Sequence, residues 1–129
     1  MLELQILNNK NSLPHDWGRK TSIMGILNLT PDSFSDGGDY FTIESALLQV
    51  EKFINYGVDV IDIGAQSTRP GAKEVGSKME IKRLIPILKE VRKSFPKIII
   101  SVDTFNSDVA LEALLNGANW INDITGGRR

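Results

Sequence analysis

The chain has 129 residues, of which 41% are hydrophobic and 24% are charged, and its formal net charge is −1. This composition is typical of a globular protein, and the scattered lysines and arginines indicate neither a nucleic-acid partner nor a membrane-binding helix. The chain has no cysteine. This excludes disulfides, thiolate metal sites and cysteine nucleophiles. No segment has the length of a transmembrane helix or the pattern of a secretory leader, so we expect a cytoplasmic protein.

The first part of the chain predicts a strand, a polar loop, a helix and a second strand. Residues 22–27 form an apolar, strand-like run, and we expect a short β-hairpin or arm before it in residues 1–21. Thr42 is a suitable N-cap and Gly57 a suitable stop for the helix, and residues 58–64 predict the second strand. The helical stripe consists of Ile43, Ala46, Leu47, Val50, Phe53 and Ile54.

A second predicted helix follows another polar loop. Ser77 and Glu80 have the spacing of a capping box at its start. Pro86 lies inside the helical pattern and predicts a kink, because proline lacks the N–H that the helix needs. The dipeptide at residues 95–96, Phe-Pro, predicts the end of the helix.

The last part of the chain repeats the pattern once more. Residues 97–103 predict the third strand, and residues 118–123 predict the fourth. Between them, a helix ending near Gly117 would place Val109, Ala110, Ala113 and Leu114 on its inner face. Strands that alternate with helices in this way predict right-handed parallel βαβ units, and therefore an α/β fold.

Polar residues follow all four predicted strands. They are Asn28, the pair Thr68 and Arg69, Asp103, and the pair Asn122 and Asp123. The carboxyl ends of parallel strands meet at one edge of the sheet, and this edge holds the active site of barrels and doubly wound sheets. One such residue would most simply be a turn or a helix cap, but four in succession favour a functional site.

Four motifs carry a resemblance to a known family. They are MGILNLTPDSFSDGG, IDIGAQSTRPGA, ISVDT and INDITGG, in this order and within residues 22–127. They closely resemble the dihydropteroate synthases of the pterin-binding family, which fold as a (β/α)8 TIM barrel. The resemblance implies condensation of 6-hydroxymethyl-7,8-dihydropterin diphosphate with 4-aminobenzoate, giving diphosphate and 7,8-dihydropteroate for folate biosynthesis. It also implies an aminobenzoate site at which sulfonamides compete.

The resemblance assigns roles to the first polar loop. Asn28 matches the family asparagine that binds Mg²⁺ near the diphosphate, and an amide oxygen suits this hard cation. Phe34 and Asp36 match residues of the mobile loop that closes over the aminobenzoate side, and we expect them to take part in catalysis. Ser33 and Ser35 have no histidine nearby in the motif, so a serine nucleophile is not expected.

Further roles follow for the other strand ends. Thr68 and Arg69 match residues that contact the diphosphate, where a guanidinium offers forked, charge-assisted donors. We expect Arg69 also to take part in catalysis, by stabilising the charge of the departing diphosphate. Asp103 and Asn122 match residues that hold the pterin, whose edge presents N–H donors beside acceptor nitrogens. Asp62 lies within the second strand and could join the same polar network, although we favour a structural role for it.

Two features depart from the family pattern. Gln66 stands where the family commonly has glutamate before the STRP motif. A TIM barrel needs about 250 residues, whereas this chain reaches its fourth strand near its end. We therefore expect residues 22–129 to form a partial barrel, truncated after the fourth strand and inactive alone.

Two alternative functions remain open. One is a pterin-binding barrel of the methyltransferase type, which shares the Asp103 and Asn122 positions but uses no diphosphate substrate. The TPDSFSDGG and STRPGA segments argue against it, since they serve diphosphate and aminobenzoate in the resembling family. The other is a non-catalytic half-barrel that binds a partner or dimerises. Small-molecule substrates and a homodimer are expected, with no nucleic acid and no membrane partner.

Overall fold

A computed structural model describes residues 21–29, 42–65 and 77–123, together with Leu13 and Gly18. The predicted N-terminal hairpin lies outside these residues. Four strands alternate with three helices: β1 (Met24–Asn28), α1 (Ile43–Asn55), β2 (Val60–Gly64), α2 (Ser77–Ser94), β3 (Ile99–Asp103), α3 (Ser107–Leu115) and β4 (Trp120–Asn122). None of the helices in the described ranges is long and apolar enough to span a membrane.

The four strands form one parallel sheet in the order β1-β2-β3-β4. This order confirms the predicted succession of parallel βαβ units. The register gives three rows of paired residues that share one face: Met24, Val60 and Ile99; Ile26, Asp62, Ser101 and Trp120; and Asn28, Gly64, Asp103 and Asn122. We call this the polar face, because the number of polar side chains in a row increases towards the carboxyl ends of the strands.

The opposite face of the sheet carries the hydrophobic core. Five of its strand residues are at most 1% exposed and belong to one contiguous cluster: Leu27, Ile61, Ile63, Ile100 and Val102. The helices complete this cluster with residues that include Val50, Leu88, Val91 and Val109. Burying each of the larger side chains stabilises the fold by about 1.5–3 kcal/mol. A Cβ atom on Gly25 would lie 2.7 Å from Cδ2 of Phe53, so glycine at this position lets α1 pack closely on β1.

The ends of α1 confirm the sequence prediction. The Thr42 hydroxyl accepts a hydrogen bond from the Ser45 N–H at 3.0 Å, and the Ser45 hydroxyl accepts one from the Thr42 N–H at 3.0 Å. These two bonds form a capping box and satisfy donors that a helix start leaves unpaired. At the other end Gly57 adopts φ 88°, a left-handed conformation that glycine reaches at little cost.

The start of α2 differs from the prediction. The helix begins at Ser77 itself, and the Glu80 side chain accepts hydrogen bonds from Thr104 and Asn106. The predicted capping box is therefore wrong, because Glu80 is fully buried and its side chain points to the turn after β3. The helix runs through Pro86 and ends one residue before Phe95, which confirms the predicted end.

Arg92 fixes the amino-terminal edge of the sheet. Its Nη1 donates to the carbonyl oxygen of Ile98 at 2.7 Å, and its Nη2 donates to that of Gly117 at 2.8 Å. Nη2 also donates to Oδ1 of Asn119 at 2.7 Å, and the same oxygen accepts from the Ile100 N–H at 2.9 Å. These bonds tie the end of α2 to the beginnings of β3 and β4, so this edge is held rigidly.

Candidate active site

Three of the predicted site residues occupy a single row of the polar face. Asn28, Asp103 and Asn122 end β1, β3 and β4, and the register aligns them through Gly64, which ends β2. With strands about 4.8 Å apart, the row is about 14 Å long. The expectation that these side chains meet at one edge of the sheet is confirmed. Two amides and one carboxylate are thus aligned along the strand ends.

Gly64 leaves space within this row. A Cβ atom at this position would lie 3.3 Å from Cβ of Asp103 and 3.6 Å from its Oδ2. The Asp103 carboxylate therefore lies beside the gap left by Gly64. Gly64 was not among the predicted site residues, although a glycine within a strand often marks a place where a ligand or another backbone approaches closely.

Asp62 lies one row below, towards the amino ends of the strands. Its side chain is 3% exposed, and that of its neighbour Ser101 is 1% exposed. Burial raises the pKa of the Asp62 carboxyl, and hydrogen bonds from the Ser101 and Asn122 side chains lower it by a smaller amount. Oδ1 of Asp62 has no hydrogen-bond partner in the part of the chain that the structure describes. Asp62 therefore belongs to the polar network of Asn122, as the sequence allowed.

Asp103 is surrounded by negative charge. Its pKa is raised by burial in the first place, and further by the negative charges of Asp62, Glu80 and Asp123. These carboxylates come from β2, from α2 and from the residue after β4. Asp103 consequently holds a proton at a higher pH than an ordinary aspartate, and a ligand that brings N–H donors would favour its ionised form.

The turn after β3 is fixed by hydrogen bonds that the sequence analysis missed. The Thr104 N–H donates to the carbonyl oxygen of Asn122 at 3.2 Å, which joins the ends of β3 and β4. The Thr104 hydroxyl donates to Oε2 of Glu80 at 2.6 Å. The sequence signal was weak, because a glutamate four residues into a helix normally faces solvent.

The other predicted site residues, Phe34, Asp36, Thr68 and Arg69, lie outside the described residues, as does Gln66. Their roles stay predictions. Within the described ranges, no group of three or more His, Cys, Asp or Glu side chains could hold a metal ion. Asn28, however, is exposed at the end of β1. Its position suits a Mg²⁺ ion that keeps several waters and takes other ligands from phosphate.

Comparison with known proteins defines the class to which this site belongs. Residues 24–129 match the model of a family described as pterin binding enzyme. The chain therefore belongs to this family of enzymes, and its parallel sheet corresponds to part of the family's TIM barrel.

Individual relatives narrow the comparison. A folate synthesis bifunctional protein of Arabidopsis thaliana is 58% identical over 114 residues, which cover 87% of this chain and 24% of the relative. The dihydropteroate synthase of Clostridium difficile, solved in the presence of pteroic acid, is similar in structure, with a TM-score of 0.79 at 46% identity. The match covers 88% of this chain and 43% of the Clostridium difficile chain. The Xanthomonas albilineans dihydropteroate synthase, solved with 4-aminobenzoic acid, has a TM-score of 0.76 at 38% identity, with coverages of 88% and 44%. The chain thus spans less than half the length of each.

Proposed function

We propose that this chain forms the pterin-recognising part of a dihydropteroate synthase. The activity would be condensation of 6-hydroxymethyl-7,8-dihydropterin diphosphate with 4-aminobenzoate. The row of Asn28, Gly64, Asp103 and Asn122 carries the proposal, because it aligns a carboxylate and two amides along the strand ends. Relatives solved with pteroic acid and with 4-aminobenzoic acid support the same substrate class.

Asp103 and Asn122 would recognise the pterin. A carboxylate accepts hydrogen bonds from ring N–H and amino groups, and an amide both donates and accepts. Asn122 also donates to Asp62, which lowers the pKa of that carboxyl. With its amide nitrogen directed at Asp62, Asn122 would have its oxygen left to accept from the ligand. Such a site rejects analogues that lack the matching donors, because its own buried polar groups would then be unpaired.

Asn28 would lie at the diphosphate end of the row. A Mg²⁺ ion bound there would stabilise the negative charge of the departing diphosphate. Asn28 would contribute one amide oxygen to it and orient the phosphate end of the substrate. Thr68, Arg69, Phe34 and Asp36 are proposed for the diphosphate and aminobenzoate contacts on the strength of the motif match alone.

Binding and turnover test different parts of the proposal. Pteroic acid, titrated by its pterin fluorescence, should bind the chain, and Asp103→Asn should weaken this binding. Asp108→Asn removes a carboxylate from the exposed surface of α3 and is the matched control. Equal affinity in all three proteins would contradict the assignment of Asp103.

Diphosphate release tests the catalytic part. We expect no turnover from the 129 residues alone, and normal turnover would contradict that expectation. Competition by 4-aminobenzoate would separate the synthase from a methyltransferase-type barrel. A homodimer stays a prediction, which sedimentation would test.

A further inference from the structure

Glu80 is a buried carboxylate that the proposed chemistry does not use. It lies in the first turn of α2, its exposed fraction is 0%, and both of its oxygens accept hydrogen bonds. Oε2 accepts from the Thr104 hydroxyl at 2.6 Å, and Oε1 accepts from Nδ2 of Asn106 at 2.7 Å. Glutamate is almost never buried so completely without partners that compensate its lost hydration. The arrangement therefore needs an explanation.

The two donors to Glu80 belong to the turn that carries Asp103. Thr104 follows Asp103 directly and is 1% exposed, and its hydroxyl also accepts from the Asn106 N–H at 3.1 Å. Asn106 is the N-cap residue of α3, yet its side chain makes no capping hydrogen bond, because it is directed to Glu80. The turn thus gives up an ordinary cap in favour of the contact with α2.

The same turn also holds Asn122. The Thr104 N–H donates to the Asn122 carbonyl oxygen at 3.2 Å, so the backbone of one strand end is bonded to the other beside the ligand row. Glu80 holds the side chain of Thr104 while the backbone of Thr104 holds Asn122. A carboxylate on a helix is in this way connected to both residues proposed to recognise the pterin.

We propose that Glu80 is a positioning residue, which holds the β3–α3 turn so that Asp103 and Asn122 keep their geometry towards the ligand. The proposal rests on the proposed pterin site. Glu80 touches no ligand in this scheme and acts through Thr104. Its negative charge adds a second effect, since it is among the groups that raise the pKa of Asp103, after burial and Asp62 and before Asp123.

Two substitutions separate the geometric effect from the electrostatic one. Thr104→Val removes the hydroxyl that Glu80 holds but keeps the charge of Glu80. Glu80→Gln removes the charge while keeping the size of the side chain. Its amide can still accept from Asn106 and can donate to the Thr104 hydroxyl. Glu90→Gln is the matched control, because it removes a carboxylate from the same helix about 15 Å further along.

Titration of the full chain with pteroic acid between about pH 4 and pH 8 is the first measurement. We expect Thr104→Val to raise the Kd about tenfold, since displacement of a recognition group by a fraction of an ångström is costly. Glu80→Gln should move the midpoint of the pH dependence to lower pH, because Asp103 then ionises more readily. Glu90→Gln should behave as the wild type does. A wild-type Kd and pH midpoint in both test variants would overturn the proposal.

Hydrogen exchange of the backbone amide at position 104 is the second measurement and needs no ligand. We expect a lower protection factor, which corrects for the intrinsic exchange rate of each residue, at this amide in Thr104→Val than in Glu90→Gln, because the bond to the Asn122 carbonyl is then less well held. Unchanged exchange would overturn the positioning role even if pteroic acid failed to bind. Failure of the wild-type chain to bind pteroic acid would instead contradict the proposed function, so the two failures are distinguishable.

Discussion

Replacing Gly64 with alanine should weaken ligand binding while leaving the fold largely intact. The added Cβ would lie 3.3 Å from Cβ of Asp103, whereas carbon atoms prefer a separation of about 3.5–4.0 Å. Asp103 would have to move by roughly 0.2–0.7 Å, which is comparable with the tolerance of about 0.5 Å for a productive site. We therefore expect the Kd for pteroic acid to rise about tenfold, or about 1.4 kcal/mol.

The stability of this variant should change little. Gly64 is not among the described glycines with positive φ, so its backbone conformation is open to alanine. The free energy of unfolding, measured by urea denaturation, should stay within about 1 kcal/mol of the wild-type value. Loss of binding would then reflect displacement of Asp103 and not partial unfolding.

Gly25 provides the matched control on the opposite face of the sheet. Its added Cβ would lie 2.7 Å from Cδ2 of Phe53, which is too close without a shift of α1 or of the ring. Gly25→Ala should lower the free energy of unfolding by about 1–3 kcal/mol through overpacking, with an unchanged Kd for the folded protein. The reasoning would be refuted if Gly64→Ala bound pteroic acid normally and Gly25→Ala did not.

Three further substitutions test stability. Asp62→Asn should raise the free energy of unfolding at neutral pH by about 1 kcal/mol by removing a poorly satisfied buried carboxylate. Because burial raises the native pKa of Asp62 above 3.8, this gain should be absent below pH 3.8, where both states are protonated, and should grow as the pH rises from 3.8 through the native pKa. A gain independent of pH in urea titrations would contradict this expectation. Arg92→Met should lower the free energy of unfolding, measured by urea denaturation, by about 3 kcal/mol, because the Gly117 and Ile98 carbonyls lose their donor. If the Kd for pteroic acid changed as well, this would count against a purely structural role. Thr42→Ala should lower the free energy of unfolding by about 1 kcal/mol, because the capping box is lost. Thermal unfolding measures this change, and an unchanged melting temperature would show that the cap is dispensable.

Much of the fold could be predicted because the hydrophobic periodicity agrees with the residues that start and end helices along this chain. The Thr42 cap and the Gly57 stop bounded α1 within a residue or two, and residue identity alone sets both signals. The observed strands are shorter than predicted, with β2 starting at Val60 and β4 at Trp120. The residues before them, such as Val58 and Ala118, make turn hydrogen bonds to the preceding helix, and hydropathy does not distinguish these from strand.

The candidate site was predictable to the extent that it follows from strand ends. Asn28, Asp103 and Asn122 could be grouped because parallel strands bring their carboxyl ends to one edge. Glu80 could not, because its contact with Thr104 spans 24 residues and depends on how α2 packs against the turn. Local spacing offered a competing explanation, the capping box, and the tertiary contact prevailed over it.

The two edges of the sheet differ in how their polar groups are satisfied, and this difference bears on function. At the amino edge, the Arg92 guanidinium donates hydrogen bonds to several carbonyl oxygens and to the Asn119 side chain. These acceptors therefore have a positively charged donor. At the carboxyl edge, Asp62 keeps one buried oxygen without a partner in the described ranges, and Asp103 lies among like charges. A folded chain retains such unfavourable groups where another role requires them. A ligand with N–H donors would relieve this excess of acceptors and negative charge, so its binding should stabilise the carboxyl edge more than the amino edge.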